Sequence, residues 1–128
     1  MRLAPLLVVF LLAGCAKPFD LDIEVTDAAV VPGHCISHGD PEGSACHILT
    51  VHVDNGEGDE AELRAWRWSL VDAKGAVWKD PIKQGPDAVQ AGGQADLVLH
   101  FNTDAGIEPV TLRFQAPLRN QTVETALP

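Results

Sequence analysis

Apolar and polar residues alternate with a period of two along most of the chain after residue 20. In residues 20–26, Leu21, Ile23 and Val25 fall on one side, and acidic residues and Thr26 fall on the other. This period is typical of a half-buried strand. The other segments with a strand pattern are residues 46–54, 62–71, 76–79, 88–91, 95–101 and 110–114.

Turn-forming pairs separate these segments, among them Pro32-Gly33, Asn55-Gly56 and Gly92-Gly93. The chain shows neither a helical period nor an internal repeat. Short alternating strands with frequent turns indicate an all-β fold, and we predict a β-sandwich of about seven strands. The sandwich is expected to span residues 20–116, and residues 117–128 are expected to form a loose C-terminal tail.

The strand phase also predicts which side chains are buried. Trp66 and Trp68 are two residues apart, so on one strand they would share a face with their rings side by side. Trp68 is assigned to the core, whereas Trp66 and Trp78 are candidates for binding sugar rings or an apolar partner. The other predicted core residues are Leu49, Val51, Val53, Leu97, Leu99, Phe101, Leu112 and Phe114.

The N-terminus has a different pattern. Met1-Arg2 is a short cationic start, and residues 3–12 form an apolar run followed by small residues. These features indicate a secretory signal peptide over residues 1–14. The run is too short for a permanent membrane helix, which needs roughly 20 apolar residues.

The signal ends in Leu12-Ala13-Gly14-Cys15, which resembles the lipobox of bacterial lipoproteins. The resemblance implies cleavage before Cys15, acylation of this residue, and a lipidated tether at residues 15–19. Two acyl chains attach a protein stably to a membrane, whereas one chain is marginal. Ala16 rather than Asp follows the cysteine, which in Gram-negative lipoproteins implies the outer membrane, facing the periplasm or the cell surface.

Charge and motifs narrow the function. The formal net charge is −9, and loss of Arg2 with the signal makes it one unit more negative. This surface argues against binding nucleic acid through charge. The chain contains no Gly-x-Ser-x-Gly, phosphate loop or His-Glu-x-x-His motif. We therefore expect a protein without catalytic activity and without a cofactor.

Two cysteines remain once Cys15 is assigned to lipid. Cys35 and Cys46 are eleven residues apart around a turn-rich loop. In an oxidising compartment such a pair most simply forms a disulfide.

The order of features also resembles a family. Several features are similar to those of immunoglobulin-like (telokin-like) extracellular lipoprotein domains of unknown function, and they occur in the same order. They are Val53-Asp54-Asn55, an acidic turn, Trp68-Ser-Leu-Val-Asp72, a Lys-Gly turn, a Gly-Gly turn and Leu97-Val-Leu-His-Phe101. The resemblance covers about residues 48–114 and implies an immunoglobulin-like sandwich with no catalytic residues to carry over. In immunoglobulin domains the two bridged cysteines lie on either side of the strand-C tryptophan in the sequence. Here both cysteines precede Trp66, so the bridge is expected at an edge or loop rather than through the core.

Histidines suggest an alternative. Imidazole and thiolate groups together bind zinc or copper, but a disulfide removes both thiolates. A metal site would then depend on histidines, which are otherwise ordinary solvated side chains. His52 and His100 face outward and would meet only if their strands pair suitably. The candidate ligands are His34, His38, His47, His52 and His100.

The leading hypothesis is a lipid-anchored binding or accessory module of the cell envelope. Its expected partners are the membrane, through the lipid on Cys15, and an envelope protein. The alternatives are a periplasmic copper- or zinc-binding protein and a proteinase inhibitor on a sandwich scaffold. An exposed tryptophan patch would favour the binding module, and clustered histidines with free thiols would favour metal binding.

Overall fold

The computed structural model describes residues 21–56, 59–116 and 122–128. The predicted signal peptide, Cys15 and the tether therefore lie outside the described residues. None of the helical structure in the described ranges is long and apolar enough to cross a membrane. The strands are β1 Leu21–Pro32, β2 Ser44–Asn55, β3 Ala61–Glu62, β4 Trp68–Asp72, β5 Val77–Lys79, β6 Ile82–Gln84, β7 Ala88–Val89, β8 Gln94–Asp104, β9 Pro109–Gln115 and β10 Thr122–Ala126.

Most of these strands form two antiparallel sheets. The first sheet has the order β1-β2-β8-β6 and the second has the order β10-β9-β4-β5, while β3 and β7 form a small ribbon. The predicted all-β sandwich is confirmed.

The inner faces of both sheets supply one hydrophobic core. All nine residues predicted for the core are at most 1% exposed, which confirms the strand phase. At its centre the rings of Trp68 and Phe114 lie 4.7 Å apart between centroids, on neighbouring strands of the second sheet. Aromatic pairs at this distance add about 0.5–1.5 kcal/mol beyond the burial of their area.

The strand predicted for residues 62–71 is wrong in its first half. β3 ends at Glu62, a 3₁₀ turn follows at Ala65–Arg67, and β4 begins at Trp68. Leu63 and Trp68 are both buried, but five residues apart on one strand they would face opposite ways. The turn resolves this conflict, and the Trp68 Nε1 group then donates to the Leu63 carbonyl oxygen at 3.1 Å.

β1 continues past residue 26 to Pro32, through an irregularity between Val25 and Asp27, and this agrees with an apolar pattern that can extend the strand past a bend. Two other segments gain strand structure that their patterns did not predict. β6 forms within a predicted loop and pairs with β8. The predicted loose tail contains β10, which pairs with β9. These strands are defined by pairing with a neighbour, and strand preference depends strongly on such context.

Candidate functional site

Trp66 lies on the protein surface, apart from Trp68. The predicted side-by-side arrangement of the two rings is wrong because Trp66 belongs to the 3₁₀ turn and Trp68 to β4. Trp66 is 59% exposed, whereas Trp68 is 1% exposed. Large exposed aromatic side chains are enriched at interfaces, so Trp66 is the stronger binding candidate of the two.

A neighbouring arginine fixes the surroundings of Trp66. The guanidinium carbon of Arg67 lies 4.0 Å from the centroid of the Trp66 ring, which is within the range of a cation–π contact. The Arg67 Nε group also donates to Glu62 Oε1 at 3.1 Å, and its side chain is only 13% exposed. Arg67 therefore has little freedom, and it supports one face of the exposed indole.

A shallow groove of about 230 Å³ opens beside this pair. Register brings three adjacent strands together there, because Ser69 of β4 lies opposite both Lys79 of β5 and Arg113 of β9. We call it the Trp66 groove. Its lining residues are Trp66, Arg67, Trp68, Ser69, Val77, Lys79, Arg113 and Gln115.

The Trp66 groove is a cationic region on an acidic protein. Three of the six Lys and Arg residues in the described ranges line it, although the formal net charge of the chain is −9. Arg113 Nε donates to Glu124 Oε2 at 2.9 Å, and Arg67 is paired with Glu62. None of the described residues forms an ion pair with Lys79. The groove thus offers an exposed indole, an unpaired ammonium group and two oriented guanidinium groups.

Trp78 is not part of the groove. It lies opposite Leu70 in the β4–β5 register and packs, partly buried, against the core. Its Nε1 group donates to Asp72 Oδ2 at 3.1 Å. This hydrogen bond, with those from the backbone N–H groups of Ala76 and Lys74, lowers the pKa of Asp72. Trp78 therefore anchors the turn between β4 and β5.

The structure does not gather the candidate histidines into one site. His34 and His38 are exposed in the loop between β1 and β2, whereas His47 is buried on β2. His52 and His100 lie on the outer face of the first sheet, but His52 is opposite Asp96 and His100 is opposite Ile48. Four residues along the strands thus separate them by about 13 Å, and they form no shared site.

Cys35 and Cys46 form the predicted disulfide, with Cα atoms 4.9 Å apart. Cys46 belongs to the outward-facing series of β2, and Cys35 lies in the β1–β2 loop above it. The bridge therefore joins this loop to the outer side of the first sheet, and, as expected, it does not pass through the core. His100 lies beside the bridge, since the two sulfur atoms and a His100 ring nitrogen lie within 4.8 Å of one another.

His47 lines an apolar cleft at one end of the sandwich. The cleft has a volume of about 360 Å³, and Val30, Leu49 and Ile107 also line it. His47 is 5% exposed, and among the described residues its Nε2 atom has no hydrogen-bond partner. Burial lowers the pKa of His47, so the imidazole is neutral at neutral pH.

His47 and His52 are expected to titrate on opposite sides of the ordinary histidine pKa of about 6.5. The hydrogen bond to Asp96, 2.7 Å from His52 Nδ1, raises the pKa of His52, while burial lowers that of His47. As pH falls, His47 is therefore protonated at a higher pH in the unfolded chain than in the folded protein. His47 thus destabilises the fold as pH falls below about 6.5. His52 has the opposite effect on stability, because protonated His52 stabilises the folded protein. This stabilisation is lost as pH rises through the raised pKa of His52.

NMR titration of the imidazole protons measures both directions, with His47→Gln and His52→Gln variants assigning the signals. The Asp96→Asn variant should return the pKa of His52 towards its ordinary value and leave that of His47 unchanged. Equal midpoints for His47 and His52 in the wild-type protein would contradict the prediction.

Sequence reasoning found Trp66 but missed Arg67, Lys79 and Arg113. The outward phase of Arg113 was visible in the alternation of residues 110–114. Its neighbours were not, because the pairing of β4 with both β5 and β9 is a property of the tertiary fold.

No protein-family model matches this chain, and the curated proteins contain no match either. The fold is similar to part of the crystal structure of a candidate lipoprotein, ycdA, from Bacillus subtilis, with a TM-score of 0.60 and 12% sequence identity. The similarity covers 88% of this chain and 38% of that one. This chain therefore spans well under half of the length of that protein, and the likeness is one of fold.

Proposed function

We propose that this protein is a lipid-anchored binding module of the cell envelope that contacts a protein partner through the Trp66 groove. The exposure of Trp66 beside oriented cationic groups is the observation that carries the proposal. Tryptophan and arginine are the residue types that most often dominate binding energy at protein interfaces. Held by Glu62, Arg67 has already lost much of the side-chain freedom that binding would otherwise remove.

The charges of the groove indicate the chemistry of the partner. A carboxylate placed between Lys79 and Arg113, with an apolar group resting on Trp66, would complement the row of β5, β4 and β9 side chains. The acidic remainder of the protein would repel an acidic partner elsewhere, so the groove would also set the orientation of docking. The partner is therefore an envelope protein that presents an acidic and apolar segment.

The proposed role is non-enzymatic. Ser69 is the hydroxyl group in the groove, and the described residues that line the groove include no histidine or carboxylate to activate it. Membrane attachment through Cys15, at the outer membrane, belongs to the same proposal. It is supported by the lipobox-like motif and by a neighbour of similar fold that is itself a candidate lipoprotein.

Trp66→Ala is expected to weaken the partner interaction by at least about tenfold, since truncation of an interfacial hot-spot residue costs about 2 kcal/mol or more. The measurement is cross-linking and quantitative pull-down of the native lipoprotein from its envelope. Lys79→Glu should lose the same partner by charge reversal. Trp66 is exposed, so its replacement should leave the melting temperature nearly unchanged.

Two variants elsewhere on the surface are the controls. Ile36→Ala removes an 80% exposed apolar side chain outside the groove, and Lys74→Glu reverses a charge in the β4–β5 turn. Both should retain the partner. If every protein captured by the wild type is also captured by Trp66→Ala, the groove is not the binding surface.

A further inference from the structure

Three possible metal ligands converge on the outer face of the first sheet. The sulfur atoms of Cys35 and Cys46 and a ring nitrogen of His100 all lie within 4.8 Å of one another. Ligands on one zinc ion, with Zn–S distances of about 2.3 Å and Zn–N distances of about 2.0–2.1 Å, are separated by slightly less than this. The sulfur atoms are joined in a disulfide, so the cluster as it stands offers only the imidazole.

We propose that Cys35, Cys46 and His100 form a redox-gated metal site, which binds a soft or borderline cation such as Zn²⁺ only when the disulfide is reduced. A dithiol reductant supplies two electrons and two protons, breaks the S–S bond and is itself oxidised to a disulfide. Metal binding then displaces the two thiol protons, because the thiolate is the ligand form. Two thiolates and an imidazole suit Zn²⁺ or Cu⁺.

Strand register places two of the three ligands. Cys46 lies opposite Asn102 in the β2–β8 pairing, and His100 lies opposite Ile48. Cys46 and His100 are thus diagonal neighbours that point to the same outer face of the sheet. Neither position depends on the disulfide, because the β2–β8 pairing extends without interruption from Ser44 to Asp54.

The third ligand is held near them by hydrogen bonds as well as by the bridge. The backbone N–H of Cys35 donates to Asn102 Oδ1 at 2.7 Å. This hydrogen bond joins the loop to β8 two residues from His100. The base of the loop is closed by Gly33 N–H donating to the Ser44 carbonyl at 2.9 Å. Breaking the S–S bond therefore leaves Cys35 attached above the same strands.

The difference in exposure between the two cysteines indicates which sulfur atom a reductant attacks. Cys35 is partly exposed, whereas Cys46 is 1% exposed. A thiolate reductant therefore reaches the sulfur of Cys35 and releases that of Cys46, which becomes a thiolate beside His100. The Trp66 groove lies on the other sheet, so this inference is independent of the proposed function and can fail without it.

The test uses the full mature protein, reduced with a dithiol that is removed under anaerobic conditions, and Zn²⁺ as the probe. The reduced wild type should bind one zinc per chain, and both thiols should then resist alkylation. The oxidised wild type should bind none at this site. His100→Ala should weaken zinc binding by at least about tenfold, which is the lower limit seen even for loss of an outer partner of a metal ligand.

His52→Ala is the matched control, because it removes a histidine from the same outer face without touching the cluster. It should bind zinc as the wild type does. Thermal unfolding keeps the test decisive if reduction destabilises the fold, since zinc should raise the melting temperature of the reduced wild type but not that of reduced His100→Ala. Equal zinc affinity in reduced wild type and His100→Ala, or no zinc-dependent change in the reduced wild type, would overturn the proposal.

Discussion

Replacing Phe101 with alanine is expected to lower the free energy of unfolding by about 3–5 kcal/mol. Phe101 is fully buried, and it lies on β8, the strand that pairs with both β2 and β6 in the first sheet. Truncation removes the transfer energy of the ring and leaves a cavity that paired strands on both sides cannot readily close. The loss is a large share of the total stability of a small domain, about 5–15 kcal/mol.

Chemical denaturation of the wild type and Phe101→Ala measures the difference through the shift in midpoint at unchanged slope. Val30→Ala is the control, because Val30 is 58% exposed and surface substitutions usually change stability by no more than about 0.5 kcal/mol. A loss below about 1 kcal/mol for Phe101→Ala would mean that the ring is not packed as the sandwich requires.

Replacing Cys15 with serine is expected to abolish lipid labelling and to leave an uncleaved or soluble form. Serine offers no thiol for the acyl group, and the apolar run at residues 3–12 is too short to form a permanent membrane helix if the signal is not removed. Stable attachment of a lipoprotein depends on its acyl chains, each buried CH₂ contributing about 0.8 kcal/mol. Metabolic labelling with a fatty acid, followed by membrane fractionation, measures both consequences.

Cys35→Ser makes the same chemical change at another cysteine and should retain full labelling and membrane attachment. Recovery of Cys15→Ser as a processed protein in the membrane fraction would contradict the proposed lipid anchor. This experiment tests only the lipid anchor, because Cys15 is not one of the residues that line the Trp66 groove.

The hydrophobic alternation was sufficient to identify the core. Every residue predicted to be inside, from Leu49 to Phe114, is buried, because the side chains of a strand alternate between two faces and only one of these faces can be apolar in a sandwich of this kind. The cysteine spacing and the expected compartment likewise predicted the disulfide. These properties are local, so they can be read from a few consecutive residues.

The alternation predicted a strand wrongly at one place, where a 3₁₀ turn has the apolar and polar pattern of a strand. Trp66 and Trp68 have the spacing of neighbours on one face, yet the 3₁₀ turn at Ala65–Arg67 separates them. The turn forms because Leu63 and Trp68 both enter the core, and their burial outweighs the weak strand preference of the residues between them. Nothing in residues 62–68 alone indicates that both side chains find room there.

The sequence by itself determined the strand phase, the core and the disulfide pair, and it also predicts a lipid anchor. Only the tertiary structure decided which strands become neighbours. It placed Lys79, Ser69 and Arg113 in one row beside Trp66, and it brought His100, rather than the loop histidines, to Cys35 and Cys46. The physical reason is that sheet pairing joins residues tens of positions apart, and their proximity depends on the packing of the whole sandwich.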